Sequence, residues 1–199
     1  SSVTKAAEFC RVSQPAVTQA VNKLEAEAGL KLFTRTPQGL FLTEAGSILA
    51  ERIRRAFHVL DPALAELAPR LKMTATSSQL EALIAVREAE SFTLAARRLG
   101  LSQPTVHRAV SQIEEEAGRP LFERTSHGMV ASRSAQVLAH AARLAFSELE
   151  QAAADLAEFN GREAGRIVIG AMPLSRAHVL PRAIAAFRQK RPTLPVKAV

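Results

Sequence analysis

Cysteine is nearly absent: Cys10 stands alone among 199 residues. No disulfide can form within the chain, and a reducing, cytoplasmic setting is expected. Long apolar runs are missing too. No stretch approaches the roughly 18 uncharged apolar residues of a membrane-spanning helix, so no membrane partner is expected. The opening Ser-Ser-Val-Thr has neither an initiator methionine nor a signal-peptide pattern. His58, His107, His127, His140 and His178 share no metal-ligand spacing, and nothing pairs a nucleophile with a base. The expectation is a protein without metal, cofactor or catalytic site.

Positive charge is present but unevenly placed. The net charge is +7, yet residues 1–71 hold nine Lys/Arg against seven Asp/Glu, and residues 72–160 hold nine against eleven. Residues 161–199 hold eight against one, so the bulk excess lies in the tail. Local patches say more about partners than net charge does. Lys5, Arg11, Lys23, Lys31 and Arg35 flank one stretch. Arg97, Arg98 and Arg108 occupy another that has no acid before Glu114, Glu115 and Glu116.

The chain says one thing twice. Residues 13–33 read SQPAVTQAVNKLEAEAGLKLF, and residues 102–122 read SQPTVHRAVSQIEEEAGRPLF. The offset of 89 positions, Ser13 to Ser102, also carries Thr4, Ala6 and Ala7 onto Thr93, Ala95 and Ala96. It carries Arg35, Thr36 and Gly39 onto Arg124, Thr125 and Gly128, and Leu49, Phe57, Leu60 and Leu67 onto Leu138, Phe146, Leu149 and Leu156. An ungapped repeat of this length is a duplicated structural unit.

The second copy spells out that unit. Ser77 or Ser78 can cap a helix carrying Leu80, Leu83, Ile84 and Val86 at helical spacing. A short helix over 93–99 follows, with Leu94, Ala95, Ala96 and Leu99 on one side, and Gly100 ends it. Ser102 suits an N-cap and Pro104 a first turn, opening a helix over 105–117. That helix buries Val106, Ala109, Val110 and Ile113, and Gly118 stops it. Extended runs around Leu121-Phe122 and Met129-Val130, joined by Arg124-Thr125-Ser126-His127-Gly128, read as a hairpin. Helix, helix, turn, helix and hairpin make a winged helix-turn-helix. The first copy matches over 3–10 and 13–28, with Thr36-Pro37-Gln38-Gly39 at its hairpin tip; its first helix would precede Ser1.

Each copy runs into a long helix with an apolar seam that needs a partner. The seam is Leu49, Ile53, Ala56, Leu60, Leu64, Leu67 and Leu71 in the first, with Pro62 expected to kink or interrupt it. In the second it is Leu138, Ala142, Ala145, Leu149, Ala152, Leu156 and Phe159. Beyond a linker over 161–165, residues 166–170 read as a strand, 177–190 as a helix and 195–199 as a second strand, the beginning of a βαβ unit.

A helix-turn-helix sets the start of its second helix against base edges in the major groove. Here that places Ser13, Gln14, Pro15, Ala16, Thr18, Gln19 and Asn22 in one copy, and Ser102, Gln103, Pro104, Thr105, His107, Arg108 and Ser111 in the other. Gln and Asn can pair with adenine, Arg with guanine, and Ala or Thr can meet a thymine methyl. Arg35 and Thr36, with Arg124 and Thr125, would reach phosphates or the minor groove from the hairpins. A protein that binds duplex DNA without reading bases is the alternative; the polar side chains of the two helices argue for readout.

Ala-Ala followed six residues later by Ser-Gln-Pro, then Leu-Glu or Ile-Glu, Gly, Leu-Phe and Arg-Thr, resembles the LysR-type transcriptional regulators. Leu42-Thr43-Glu44-Ala45-Gly46, opening the long helix, resembles them as well. The resemblance implies a regulator of double-stranded DNA with a linker helix that pairs antiparallel with a second copy. It also implies a small-molecule effector bound by a domain like periplasmic binding proteins, whose first strand and helix the tail is similar to. The family's effectors meet the loop Met172-Pro173-Leu174-Ser175-Arg176 through a hydroxyl, which nominates Ser175, and a helix N-terminus there favours an anion. Two departures stand out. The family carries one winged helix per chain where this sequence has two, and Ser132-Arg133-Ser134-Ala135 replaces the Thr-Glu-Ala-Gly start.

The fold expected is mainly α: two tandem winged helix-turn-helix domains, each with a linker helix, then the first βαβ part of an effector-binding α/β domain. The boundaries are 1–43 and 44–71 for the first domain and its linker, 77–132 and 133–160 for the second, and 166–199 for the last. Only residues 72–76 separate the first linker from the second winged helix, a length that suits antiparallel neighbours. The linkers are therefore expected to pair within the chain, Ile53, Phe57, Leu60 and Leu64 on Ala142, Phe146, Leu149 and Ala153. Pairing with a second chain is the rival arrangement.

Overall fold

Serine and glycine punctuate the helices as their chemistry requires. Ser13, Ser91 and Ser102 accept hydrogen bonds from the first-turn N–H groups of Ala16, Leu94 and Thr105, while Gly29, Gly100 and Gly118 close three helices at positive φ. The computed structural model describes residues 3–37, 39–126, 128–161, 167–170, 177–192 and 194–198. Ser175 and the rest of loop 172–176, most of the 161–165 linker, Arg166, Gln38 and His127 lie outside the described residues.

In chain order the elements are α1 (Val3–Cys10), α2 (Gln14–Ala28), β1 (Phe33–Thr36), β2 (Gly39–Leu42), α3 (Glu44–Leu67) and α4 (Leu71–Thr74). Then come α5 (Ser77–Ala89), α6 (Phe92–Leu99), α7 (Gln103–Ala117), β3 (Phe122–Thr125), β4 (Gly128–Ala131) and α8 (Arg133–Phe159). The tail holds β5 (Ile167–Ile169), α9 (Val179–Lys190) and β6 (Val196–Ala198). The molecule is mainly helical. Among the described residues the strands form three two-stranded sheets, the antiparallel hairpins β1–β2 and β3–β4 and the parallel pair β5–β6, with α9 between its strands in sequence.

Backbone contacts divide the chain into two compact units, Ser1–Arg52 with Glu150–Val199, and Ile53–Leu149. This cuts across the serial boundaries expected from sequence, because both long helices contribute one end to each unit. In the second unit, Ala82, Ala85 and Val86 of α5, Ala95 and Ala96 of α6 and Val106 and Val110 of α7 form one core cluster. A neighbouring cluster joins Ala63, Leu64 and Leu67 of α3 to Leu71, Leu80, Leu83, Ile113, Leu121, and Ala135, Leu138, Ala139 and Ala142 of α8. In the first unit, Leu156 near the end of α8 packs with Leu32 and Ala45, beside Leu49. Arg52 Nε donates to Asp155 Oδ2 at 2.8 Å in the same unit. Leu67 and Leu156, 89 positions apart, thus each close the hydrophobic core beside the hairpin of the other copy.

Most of the expected seam is buried, but not all of the residues expected to pair across it. Leu60, Leu64, Ala142 and Phe146 take part in the core, and Ile53 is half-buried. Phe57, Leu149 and Ala153 are exposed instead, Phe57 at 53 %. Alanines line the buried face: Ala56, Ala63, Ala139, Ala142, Ala145 and Ala152 are all under 9 % exposed. Alanines and leucines, not the Phe57 ring, thus fill the buried side of the two helices. Phe159 also lies on the exposed side.

Several local expectations shift by a residue or two. Thr76, not Ser77 or Ser78, caps α5, in a reciprocal pair with Gln79. Leu94 is exposed, because α6 begins at Phe92 and turns Ala95 and Ala96 inward. Residues 72–76 are no plain connection: α4 occupies them in part, with Leu71 in the core and Lys72 Nζ 3.0 Å from Asp61. Pro62 does not interrupt α3, which continues to Leu67; the carbonyl its ring deprives belongs to exposed His58. The changed start of α8 keeps the same job. Ser132 caps Ala135 N and donates its N–H to the Leu121 carbonyl at 2.8 Å, as Thr43 caps Gly46 N and donates to Leu32.

Candidate nucleic-acid interface

Helices α2 and α7 are each held at the start by the same three devices. Ser13 and Ser102 cap α2 and α7, and Pro15 and Pro104 sit in the first turn, where a missing N–H costs nothing. The third device ties the helix to the one before it. Gln14 Nε2 donates to Thr4 Oγ1 at 2.6 Å, and Thr93 Oγ1 donates to Gln103 Oε1 at 3.2 Å. Sequence reading missed this pair of contacts, although the signal was present: both Thr and Gln recur at the repeat offset.

The outward faces carry the side chains expected there. Gln14, Pro15, Ala16, Gln19 and Asn22 are exposed on α2 and Thr18 is half-buried; Gln103, Pro104, Thr105, His107 and Arg108 are exposed on α7 and Ser111 is half-buried. Gln103, Pro104, His107, Arg108 and Ser111 border one open groove. In the first unit, Thr18 and Asn22 border another with Lys31 and Arg35. His107 is held on two sides, its ring centroid 5.0 Å from that of Phe92 and its Nδ1 3.3 Å from Ser111 Oγ.

Arg35 and Arg124 lie within the strands, opposite Leu40 and Met129, one step short of the tips expected for them. Both are exposed. Thr36 and Thr125 hydroxyls donate to the Gly39 and Gly128 carbonyls at 3.3 and 3.0 Å, closing the turns.

Part of the basic patch is internally engaged. Lys31 Nζ bonds Glu25 Oε2 at 2.8 Å, Lys23 lies 3.8 Å from Glu27, and Arg98 lies 3.9 Å from Glu88. Arg108 has no ion-pair partner among the described residues.

Glu25 is a second element missed from sequence. Its side chain is 9 % exposed, and Oε1 accepts from Leu32 N at 3.0 Å and Phe33 N at 3.1 Å. Glu114 repeats this with Leu121 N at 2.7 Å and Phe122 N at 3.3 Å. Each carboxylate fastens its recognition helix to the first strand of its hairpin. The bonded Lys31 side chain holds the Glu25 carboxyl below its usual value; burial pushes the other way, and the Phe33 and Leu32 N–H groups add to the lowering.

Such a surface, polar and free of acid over the first turns of the helix with an exposed arginine on the strand beside it, suits the edges and backbone of a nucleic acid duplex. The family profile described as bacterial regulatory helix-turn-helix protein, lysR family, matches residues 1–47 and again 77–136. The chain belongs to the lysR family. Among curated relatives of this LysR-family chain, the HTH-type transcriptional regulator GalR of Pseudomonas putida is 33 % identical over 98 % of this chain and 50 % of its own length. The uncharacterized HTH-type regulator YvbU of Bacillus subtilis is 35 % identical over 60 % of this chain and 41 % of its own. A solved structure of Corynebacterium glutamicum OxyR superposes with a TM-score of 0.45 at 24 % identity, covering 63 % of this chain and 39 % of that one. The chain spans half or less of the length of these relatives. Both curated relatives bear the name of HTH-type transcriptional regulators. Among the described residues no cluster of His, Cys, Asp or Glu is placed to hold a metal ion, and no helix is long and apolar enough to cross a membrane.

Proposed function

We propose that this LysR-family protein is a cytoplasmic, sequence-specific regulator of transcription that binds double-stranded DNA through two tandem winged helix-turn-helix domains. The boundaries are those read from sequence, 1–43 and 77–132, with linkers over 44–71 and 133–160. The observation that carries this reading is the doubled recognition face: α2 and α7 share one scaffold of cap, proline and Gln–Thr tie, and both present base-reading side chains outward. Ser13, Gln14, Pro15, Ala16, Thr18, Gln19 and Asn22 form one reading face, and Ser102, Gln103, Pro104, Thr105, His107, Arg108 and Ser111 the other. Arg35, Thr36, Arg124 and Thr125 grip the backbone.

Residues 166–199 begin a domain that binds a small, anion-bearing effector, with Ser175 as a contact. The two linker helices pair within one chain, a reading supported by the core that α3 shares with α8 and by the Arg52–Asp155 bond. Mobility shifts with an operator and a scrambled duplex test the DNA reading. Replacing Gln103 and Arg108 with Ala removes base contacts worth about 1–3 kcal/mol each, so discrimination falls. Arg35→Ala or Arg124→Ala weakens both duplexes alike and lowers the salt slope by about 1. Equal losses on both probes for the Gln103/Arg108 variant would overturn the readout.

A further inference from the structure

We infer that the two recognition helices read unlike half-sites of one operator: Arg108 of α7 selects a G·C pair, and Gln19 at the same position of α2 selects an A·T pair. This rests on the DNA-reading function proposed above and adds which base each copy chooses. The scaffold is common to both copies, so the difference lies in the side chains it presents. Gln14 and Gln103 are the same residue and each is tied to a threonine, Gln14 donating to Thr4 at 2.6 Å and Gln103 accepting from Thr93 at 3.2 Å. Four positions of the two proposed reading faces differ between copies: Ala16 and Thr105, Thr18 and His107, Gln19 and Arg108, Asn22 and Ser111.

On α7, three of those four side chains are engaged within the protein. The Thr105 hydroxyl lies 2.7 Å from Ser102 Oγ, and His107 is held between Phe92 and Ser111. Arg108 is exposed, borders the open groove and has no ion-pair partner among the described residues. A guanidinium only donates, in a planar fork, which matches the paired acceptors O6 and N7 of guanine and clashes electrostatically with the N6 amino group of adenine. The carboxamide of Gln19, exposed on α2, offers one donor and one acceptor, which matches N7 and N6 of adenine. Both helices belong to one chain. Binding by one raises the effective concentration of the other at the neighbouring half-site, so the two preferences are read together.

The test is selection of bound duplexes from a random library by the full protein, repeated with Arg108→Gln and Gln19→Arg. The expected wild-type site has two half-sites that differ, a G·C pair in one standing where the other has A·T. Arg108→Gln should weaken that site about 5- to 150-fold and move the preference to A·T in one half-site only. Gln19→Arg should move the other half-site to G·C at the matching position. Like half-sites in the wild-type selection overturn the inference, as does a shift in both half-sites at once or an equal loss on every sequence. The wild-type selection decides the matter even if a variant folds poorly. A wild-type protein without any sequence preference sinks the DNA-reading function itself, a separate outcome.

Discussion

At the scale of single residues, the structure turns on two carboxylates that fasten α2 and α7 to the chain entering their hairpins. Glu25 supplies an acceptor for two N–H groups, one of them on fully buried Leu32, so Glu25→Ala should cost about 1–3 kcal/mol. Its carboxyl titrates below the ordinary value when folded. The stabilisation from its charge is therefore complete above the unfolded value of about 4.3 and is lost as pH falls through the lower folded value. The melting-temperature gap between wild type and Glu25→Gln should hold steady from pH 8 to about 5 and close on further acidification; a gap indifferent to pH would count against the charged clamp. In the second copy Pro120 stands where Lys31 stands in the first, so Glu114 keeps the two N–H bonds without the lysine. Helix caps at Ser13 and Ser102 were legible because the signal is local. The Glu25 clamp was not, since its partners lie seven and eight residues ahead, across a turn whose geometry the letters do not show.

At the scale of elements, periodicity located α3 and α8 and put Ala56 and Ala152 on the seam, where both are buried. The residues expected to pair across the helices were Phe57 and Ala153, their neighbours in sequence, and these are exposed. Ala142 is fully buried between α3 and α8, so Ala142→Phe should overpack the seam and cost about 1–3 kcal/mol. Phe57→Ser, on an exposed position, should change stability by no more than about 0.5 kcal/mol. Thermal or urea melts of the two variants compare them directly; a larger loss for Phe57→Ser would return the ring to a buried seam. The hairpins follow the same logic. Their existence was legible from Gly39 and Gly128, while the position of Arg35 and Arg124 within the strands depended on a pairing register that turn residues alone leave open by one.

At the scale of the whole molecule, two predictions test the proposed effector site and the proposed pairing of the linker helices. Ser175→Ala in the full protein should weaken the response to an anionic effector, by about 1.5–3 kcal/mol of lost hydrogen bonding to a charged group, and leave basal DNA binding intact. Titration calorimetry with the effector checks this, and unchanged affinity assigns Ser175 a merely local role. The second concerns which chain supplies the partner helix. Leu156 completes the core beside Leu32 and Ala45, and Arg52 bonds Asp155 across 103 residues of sequence. If those partners belong to one chain, a tether between them is intramolecular, and its effective concentration exceeds that of any second molecule in dilute solution. In a Cys10→Ser background, Arg52→Cys and Asp155→Cys joined by a short bis-maleimide should give a faster-moving species of single-chain mass on a denaturing gel. Cys10 is exposed, so its removal is needed to keep the chemistry at the two chosen sites. A band at twice the chain mass that persists on dilution would mean that the helices pair between chains, and four recognition faces, not two, would then meet the DNA.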